Sequence, residues 1–171
     1  PVPPLDRDQD ISKEKKITNF IRLLFAGRVE KEKGVGVALE VLRELSNKYK
    51  DIFLDVVGDG PERIFFEQEA QRLNLKNVYF NGWLSRDILN DLYVQSQFLI
   101  LPSFASEGWP KVLSEAMAYG VVPISTSISS ITQYLKEFQI GRVLKVGDVQ
   151  GFADAVENYM KNLPVWKQES L

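Results

Sequence analysis

The sequence predicts an α/β protein: a doubly wound parallel sheet of about six strands with helices on both faces. Short runs rich in Val, Ile, Leu and Phe recur along the 171 residues. Each run is continuous rather than alternating, as in parallel strands covered on both faces. Longer amphipathic segments separate the runs, and glycine or proline marks many of the junctions, as in "GRVEKEKG", "GDGP" and "NGWL".

In chain order, residues 1–19 are rich in proline and charge without an apolar period and read as a leader or linker. "FIRLLFAG" opens the first strand, and the strands fall over roughly 20–26, 52–57, 77–80, 97–101, 121–125 and 141–145. Helices follow them over roughly 34–49, 61–73, 85–96, 110–119, 128–137 and 148–162. Pro61 suits the first turn of the second helix, and Ser85 suits the N-cap of the third. The domain is thus expected over 20–163, with 164–171 as a C-terminal tail.

Composition narrows the chemistry. Lys plus Arg number 21 against 23 Asp plus Glu, a net charge of -2, so there is no global basic field for nucleic acid or an anionic membrane. An anionic ligand must then be held by a local arrangement. Cysteine is absent, which removes disulfides and thiolate chemistry and suits a reducing compartment. Histidine is absent too, which rules out a Ser-His-Asp site within this sequence and leaves it without the commonest metal ligand. Apolar stretches such as Phe98 to Pro102 are too short to cross a bilayer, and the polar start carries no signal-peptide core.

In doubly wound sheets ligands sit beyond the carboxyl ends of the strands, so the loops there are the candidates. After the first strand, "GRVEKEKGV" places Arg28 and Lys33 just before a helix N-terminus, where amides and two cations would complete a site for a diphosphate. The alternative is a solvated turn in which both pair with Glu30 or Glu32. After the second strand, Gly58, Gly60 and Pro61 form a loop that completes neither a dinucleotide fingerprint nor a P-loop. It permits close backbone approach, or it is simply a tight turn. The third loop carries Gly82, Trp83 and Leu84, with Trp83 either packing on a base or belonging to local core.

The stretch "SEGWPKVLSEAMAYGVVPIST" is the most informative. Glu107 and Glu115 are eight residues apart, which on one continuous helix would be about 80° and 12 Å. With a helix starting near Pro110, Glu107 instead sits in the loop and Glu115 lies more than a turn inside. Two carboxylates could then reach different hydroxyls of one elongated ligand, or act as a dipole partner and a solvated side chain.

Taken together, "GRVEKEKG", "VVGDGP", "NGWL" and this stretch resemble the C-terminal, donor-binding half of a family 4 (group 1) retaining glycosyltransferase of GT-B fold. The resemblance runs from about Phe20 to Tyr159, and Glu107 to Glu115 is similar to the family's E-x7-E motif. It implies that Arg28 and Lys33 contact the donor diphosphate and stabilise the leaving nucleoside diphosphate. Glu115 would accept from the ribose hydroxyls, and Glu107 would lie near the transferred sugar. Amides around Gly108 and from Lys111, Val112 and Leu113 would complete the phosphate site. The Gly58, Gly60, Pro61 loop and the Gly82, Trp83, Leu84 loop would border the donor and its base. Pro110 lacks an N–H and cannot donate.

The sequence departs from the family where Gly-Gly-x-x-Glu is often found, having "SSITQ" at Ser129 to Gln133. The resemblance implies a nucleotide-diphosphate sugar as substrate, a hexosyl group as cargo, and a glycan or lipid-linked acceptor. It also implies that no metal is needed; "DRD" at Asp6 to Asp8 is similar to the metal site of the other transferase fold class but precedes every strand. The expected partner is an acceptor-binding N-terminal domain of the same protein, without which the chain would be inactive or nearly so, and "NLPVWKQESL" would be part of the helix that crosses back to it. The whole enzyme would be cytoplasmic, meeting a membrane only peripherally and through that other half. A nucleotide-sensing α/β module and a sugar-nucleotide epimerase of the same fold are the competing functions.

Overall fold

A computed structural model describes residues 20–105, 110–128 and 130–170. Six strands, β1 (Ile21–Ala26), β2 (Ile52–Val57), β3 (Val78–Gly82), β4 (Phe98–Leu101), β5 (Val122–Thr126) and β6 (Arg142–Leu144), form one sheet. Its order is β3-β2-β1-β4-β5-β6, and every neighbouring pair is parallel. The helices are α1 (Val35–Ser46), α2 (Arg63–Arg72), α3 (Arg86–Gln95), α4 (Lys111–Ala118), α5 (Ser130–Phe138), α6 (Val149–Lys161) and α7 (Leu163–Glu169).

The continuous apolar runs are explained by two cores. Along β1, Leu23 and Phe25 enter the layer shared with α1, α2, α6 and α7, while Leu24 enters the layer shared with α3, α4 and α5. Strand β4 divides the same way, with Phe98 and Ile100 on one side and Leu99 on the other. Because both faces are covered, both parities of side chain are mostly apolar; the charged exception, Asp55 of β2, is buried and paired with Arg22 of β1 at 3.2 Å. The crossovers from β1 and from β4 leave on opposite faces, so the sheet opens a crevice between these two strands at their carboxyl ends.

Two features depart from simple expectation. Pro123 lies inside β5, paired with Leu99, although proline is disfavoured in an interior strand. The amide of Val122 donates to Gln97 on the β4 side, so the missing N–H of Pro123 falls on the β6 side, where pairing begins only at Ile124 with Arg142. No ladder bond is lost there.

The stretch set outside the domain as a tail is helix α7, and it packs on the core of the domain. Trp166 is fully buried in the α1–α6 layer, and Glu169 accepts from the Gly141 amide at 2.7 Å. A short polar ending hid a single large apolar side chain whose burial outweighs the exposed residues around it. Trp166→Ala is therefore expected to destabilise the fold by about 3 kcal/mol or more. Urea unfolding would show it as a lower midpoint with little change in slope.

Candidate functional site

A cavity of about 460 Å³ opens at the carboxyl ends of β1, β2, β4 and β5. Its walls bring together Arg28 and Lys33 from the first loop, Trp83 and Leu84 from the third, and Val112 and Glu115 from α4. These residues are far apart in sequence, and the strand order makes them neighbours.

The first loop is built from main-chain contacts. Beyond the strand ends, Gly27 N–H donates to Val57 and Val29 N–H to Asp59, at 3.0 and 3.1 Å. This prolonged ladder presses the second loop onto the first. A Cβ on Gly58, whose φ is +117°, would stand 2.0 Å from the Gly27 carbonyl oxygen, and one on Gly60 would stand 2.4 Å from that of Val29. Residues Lys31–Lys33 then make one turn of 3-10 helix. The Lys31 amide donates to the Glu62 carboxylate, while the Glu32 carbonyl accepts from the Phe104 amide and the Ser103 hydroxyl. Gly34, at φ +80°, lets the turn lie against Pro102, whose carbonyl oxygen would be 2.0 Å from any Cβ. Lys33 is thereby anchored through its backbone between two strand ends.

Arg28 both pairs with an acid, as a solvated turn would have it, and faces the cavity. Its Nε lies 3.2 Å from Glu30, yet the side chain is 62% exposed and lines the cavity. An exposed pair of this kind contributes little stability, so an anionic ligand could take the guanidinium at small cost.

The third charged side chain of the lining, Glu115, sits in the second turn of α4. Its Oε2 accepts from the Tyr93 hydroxyl at 3.2 Å, and Arg86 Nη2 lies 3.8 Å from its Oε1. Burial and the neighbouring carboxylate both push the Tyr93 pKa far upward, so Tyr93 remains a protonated donor. Ser85 caps α3 as expected, its hydroxyl oxygen accepting from the Ile88 amide at 3.5 Å.

Several expected contacts are absent from the cavity. Gly60, Pro61 and Gly82 shape the loops but do not line it, and Lys111 is not part of the wall. The Leu113 side chain is fully buried in the α3–α5 core, and its amide donates to the Pro110 carbonyl at 3.0 Å. At the start of α4, Lys111 and Val112 carry amides for which a helix offers no carbonyl. Trp83 is not core: it is 78% exposed at the cavity rim. Glu107, Gly108 and Ser129 lie outside the described residues.

The sequence reading missed Tyr93, Ser103, Ser125 and Thr126, all of which line the cavity. Ser125 and Thr126 had a signal, since a strand that turns polar at its carboxyl end points to a site. The Thr126 hydroxyl donates to the Ser103 carbonyl at 2.8 Å, joining the ends of β4 and β5. Among the described residues no cluster of three metal-ligating side chains occurs, and no helix is long and apolar enough to cross a membrane.

Residues 6–168 match the family described as glycosyl transferases group 1. The chain belongs to that family. Among curated proteins, the chain is 30% identical over 141 residues to 2-deoxystreptamine N-acetyl-D-glucosaminyltransferase of Niallia circulans, covering 82% of the chain and 36% of that relative. It thus spans a little over a third of the length of that enzyme. The C-terminal domain of a group 1 glycosyl transferase from Francisella tularensis superposes with a TM-score of 0.78 at 20% identity, over 98% of this chain and 89% of that one. Anabaena HepE, solved in complex with UDP and glucose, superposes with a TM-score of 0.79 at 20% identity over 89% of this chain and 42% of that one. The fold is the Rossmann-like domain of GT-B glycosyltransferases.

Proposed function

We propose that this glycosyltransferase chain binds the sugar-nucleotide donor of a retaining family 4 hexosyltransferase. The observation that carries the reading is the cavity at the β1/β4 crevice, lined by two cations from the loop after β1 and by a carboxylate from α4. A nucleoside diphosphate has that same polarity, with anionic phosphates at one end and hydroxyl donors at the other.

In this reading Arg28 and Lys33 hold the diphosphate, aided by the Lys111 and Val112 amides at the start of α4. As the bond from the sugar carbon to phosphate oxygen breaks, its electron pair stays on the phosphate. Cations already fixed at that oxygen stabilise the transition state more than the ground state. Glu115 accepts from the ribose, Trp83 and Leu84 border the base, and Glu107 lies near the transferred sugar. No metal is required, because the two side chains supply the positive charge. The apolar wall of Ile128 and Ile131, beside the family's usual Gly-Gly-x-x-Glu position, bears on which hexosyl group is accepted. A glycan or lipid-linked acceptor would come from an N-terminal domain of the whole protein, and the chain alone would not turn over.

Calorimetric titration with UDP, GDP and ADP, with and without magnesium, tests this. One of the three is expected to bind selectively and without the metal, and Glu115→Gln is expected to weaken that binding by about tenfold. A folded chain that binds none of them, alone and within the full-length protein, overturns the reading.

A further inference from the structure

Glu115 sits on the cavity wall at 38% side-chain exposure, and a glutamate there has freedom to turn toward solvent. What restrains it is Tyr93, which comes from a different helix. Tyr93 is only 1% exposed, and its ring stacks on Tyr119 with centroids 5.6 Å apart. Leu99, Leu113 and Ala116 belong to the same apolar cluster. A buried ring of this kind has few conformations, so its hydroxyl is a fixed point, and that hydroxyl donates to Glu115 Oε2 at 3.2 Å. Among the described residues, the other oxygen, Oε1, is approached by the 74% exposed Arg86 at 3.8 Å. Glu115 therefore carries one rigid donor from below, with Oε1 and the remaining lone pair of Oε2 available as acceptors.

We propose that Tyr93 is a positioning residue that holds the Glu115 carboxylate ready for the two adjacent hydroxyls of a ribose, making the site selective for ribonucleotides. The inference rests on the donor-site reading above. It assigns Tyr93 no contact with the ligand. Its effect passes through Glu115, by sparing the carboxylate the conformational freedom it would otherwise lose on binding.

The test is calorimetry with UDP, GDP and ADP and with the 2′,3′-dideoxy counterpart of each. The parent chain is expected to favour the ribonucleotide by tenfold or more. Tyr93→Phe keeps the buried ring and removes only the donor, so it is expected to weaken the ribonucleotide by roughly three- to tenfold and leave the dideoxy compound unchanged. In a Glu115→Ala background, Tyr93→Phe is expected to add nothing, since the two residues act as one unit. Equal losses for both compounds would make Tyr93 merely structural, and no loss for either would also overturn the proposal. Should Tyr93→Phe not fold, Glu115→Ala decides: retained ribose discrimination there sinks it. A parent chain that binds none of the three diphosphates removes the donor site itself, an outcome distinct from a donor site indifferent to Tyr93.

Discussion

Lys33→Ala is expected to lower the affinity for the bound nucleoside diphosphate by about tenfold to a hundredfold while leaving the fold intact. The magnitude is that of one charge-assisted hydrogen bond to phosphate. The fold survives because the turn around Lys33 is held by main-chain groups: the Lys31 amide on Glu62, the Glu32 carbonyl on Phe104 and Ser103, and Gly34 against Pro102. Truncating the side chain touches none of these. Arg28→Ala is expected to behave alike, since the pairing with Glu30 is exposed and contributes little. Lys31 is the control, being two residues away in the same turn but outside the cavity wall. If Lys31→Ala weakens binding as much as Lys33→Ala, the effect is a general field and not a clamp. Calorimetry on the three variants, with circular dichroism to confirm the fold, separates these outcomes.

Gly58→Ala is expected to destabilise the fold by about 3 kcal/mol or more. Two costs combine. A φ of +117° lies where L side chains are strongly disfavoured, at about 1–3 kcal/mol. The added methyl would also stand 2.0 Å from the Gly27 carbonyl oxygen, a backbone atom that can retreat only by breaking the Gly27 and Val29 bonds to the second loop. Diphosphate binding should fall as well, because Arg28 rides on the displaced segment. Gly36→Ala offers the contrast: in α1 its methyl would meet only the Phe66 ring at 3.4 Å, so the change is expected to be neutral or slightly stabilising. Urea midpoints for the two variants would show whether it is glycine's shape at position 58, and not glycine in general, that the loop requires.

The strands and most helices were legible because burial on both faces writes itself into the sequence as continuous apolar runs, and six such runs recur in order. The loop residues Arg28, Lys33 and Gly58, and Glu115 in α4, were legible as candidates because they follow strand ends, where a doubly wound sheet places its ligand. Their roles were less so. Gly58 and Gly60 read equally well as ligand-facing or as turn glycines, and only the distances to Gly27 and Val29 show them pressed against a neighbouring loop. Trp83 read as packing on a base or as local core, and its 78% exposure takes it out of the core. Trp166 read as part of a tail and proved to be core.

Local sequence was enough for what depends on neighbours along the chain: the apolar periods, the Ser85 cap, the turn glycines and the absence of histidine and cysteine chemistry. That Lys33 and Glu115 line one cavity, and that Tyr93 reaches Glu115, depends on which strands lie side by side. That order is set by the packing of the whole sheet between its two helix layers, a free energy shared among residues scattered over the chain and written in no short stretch of it.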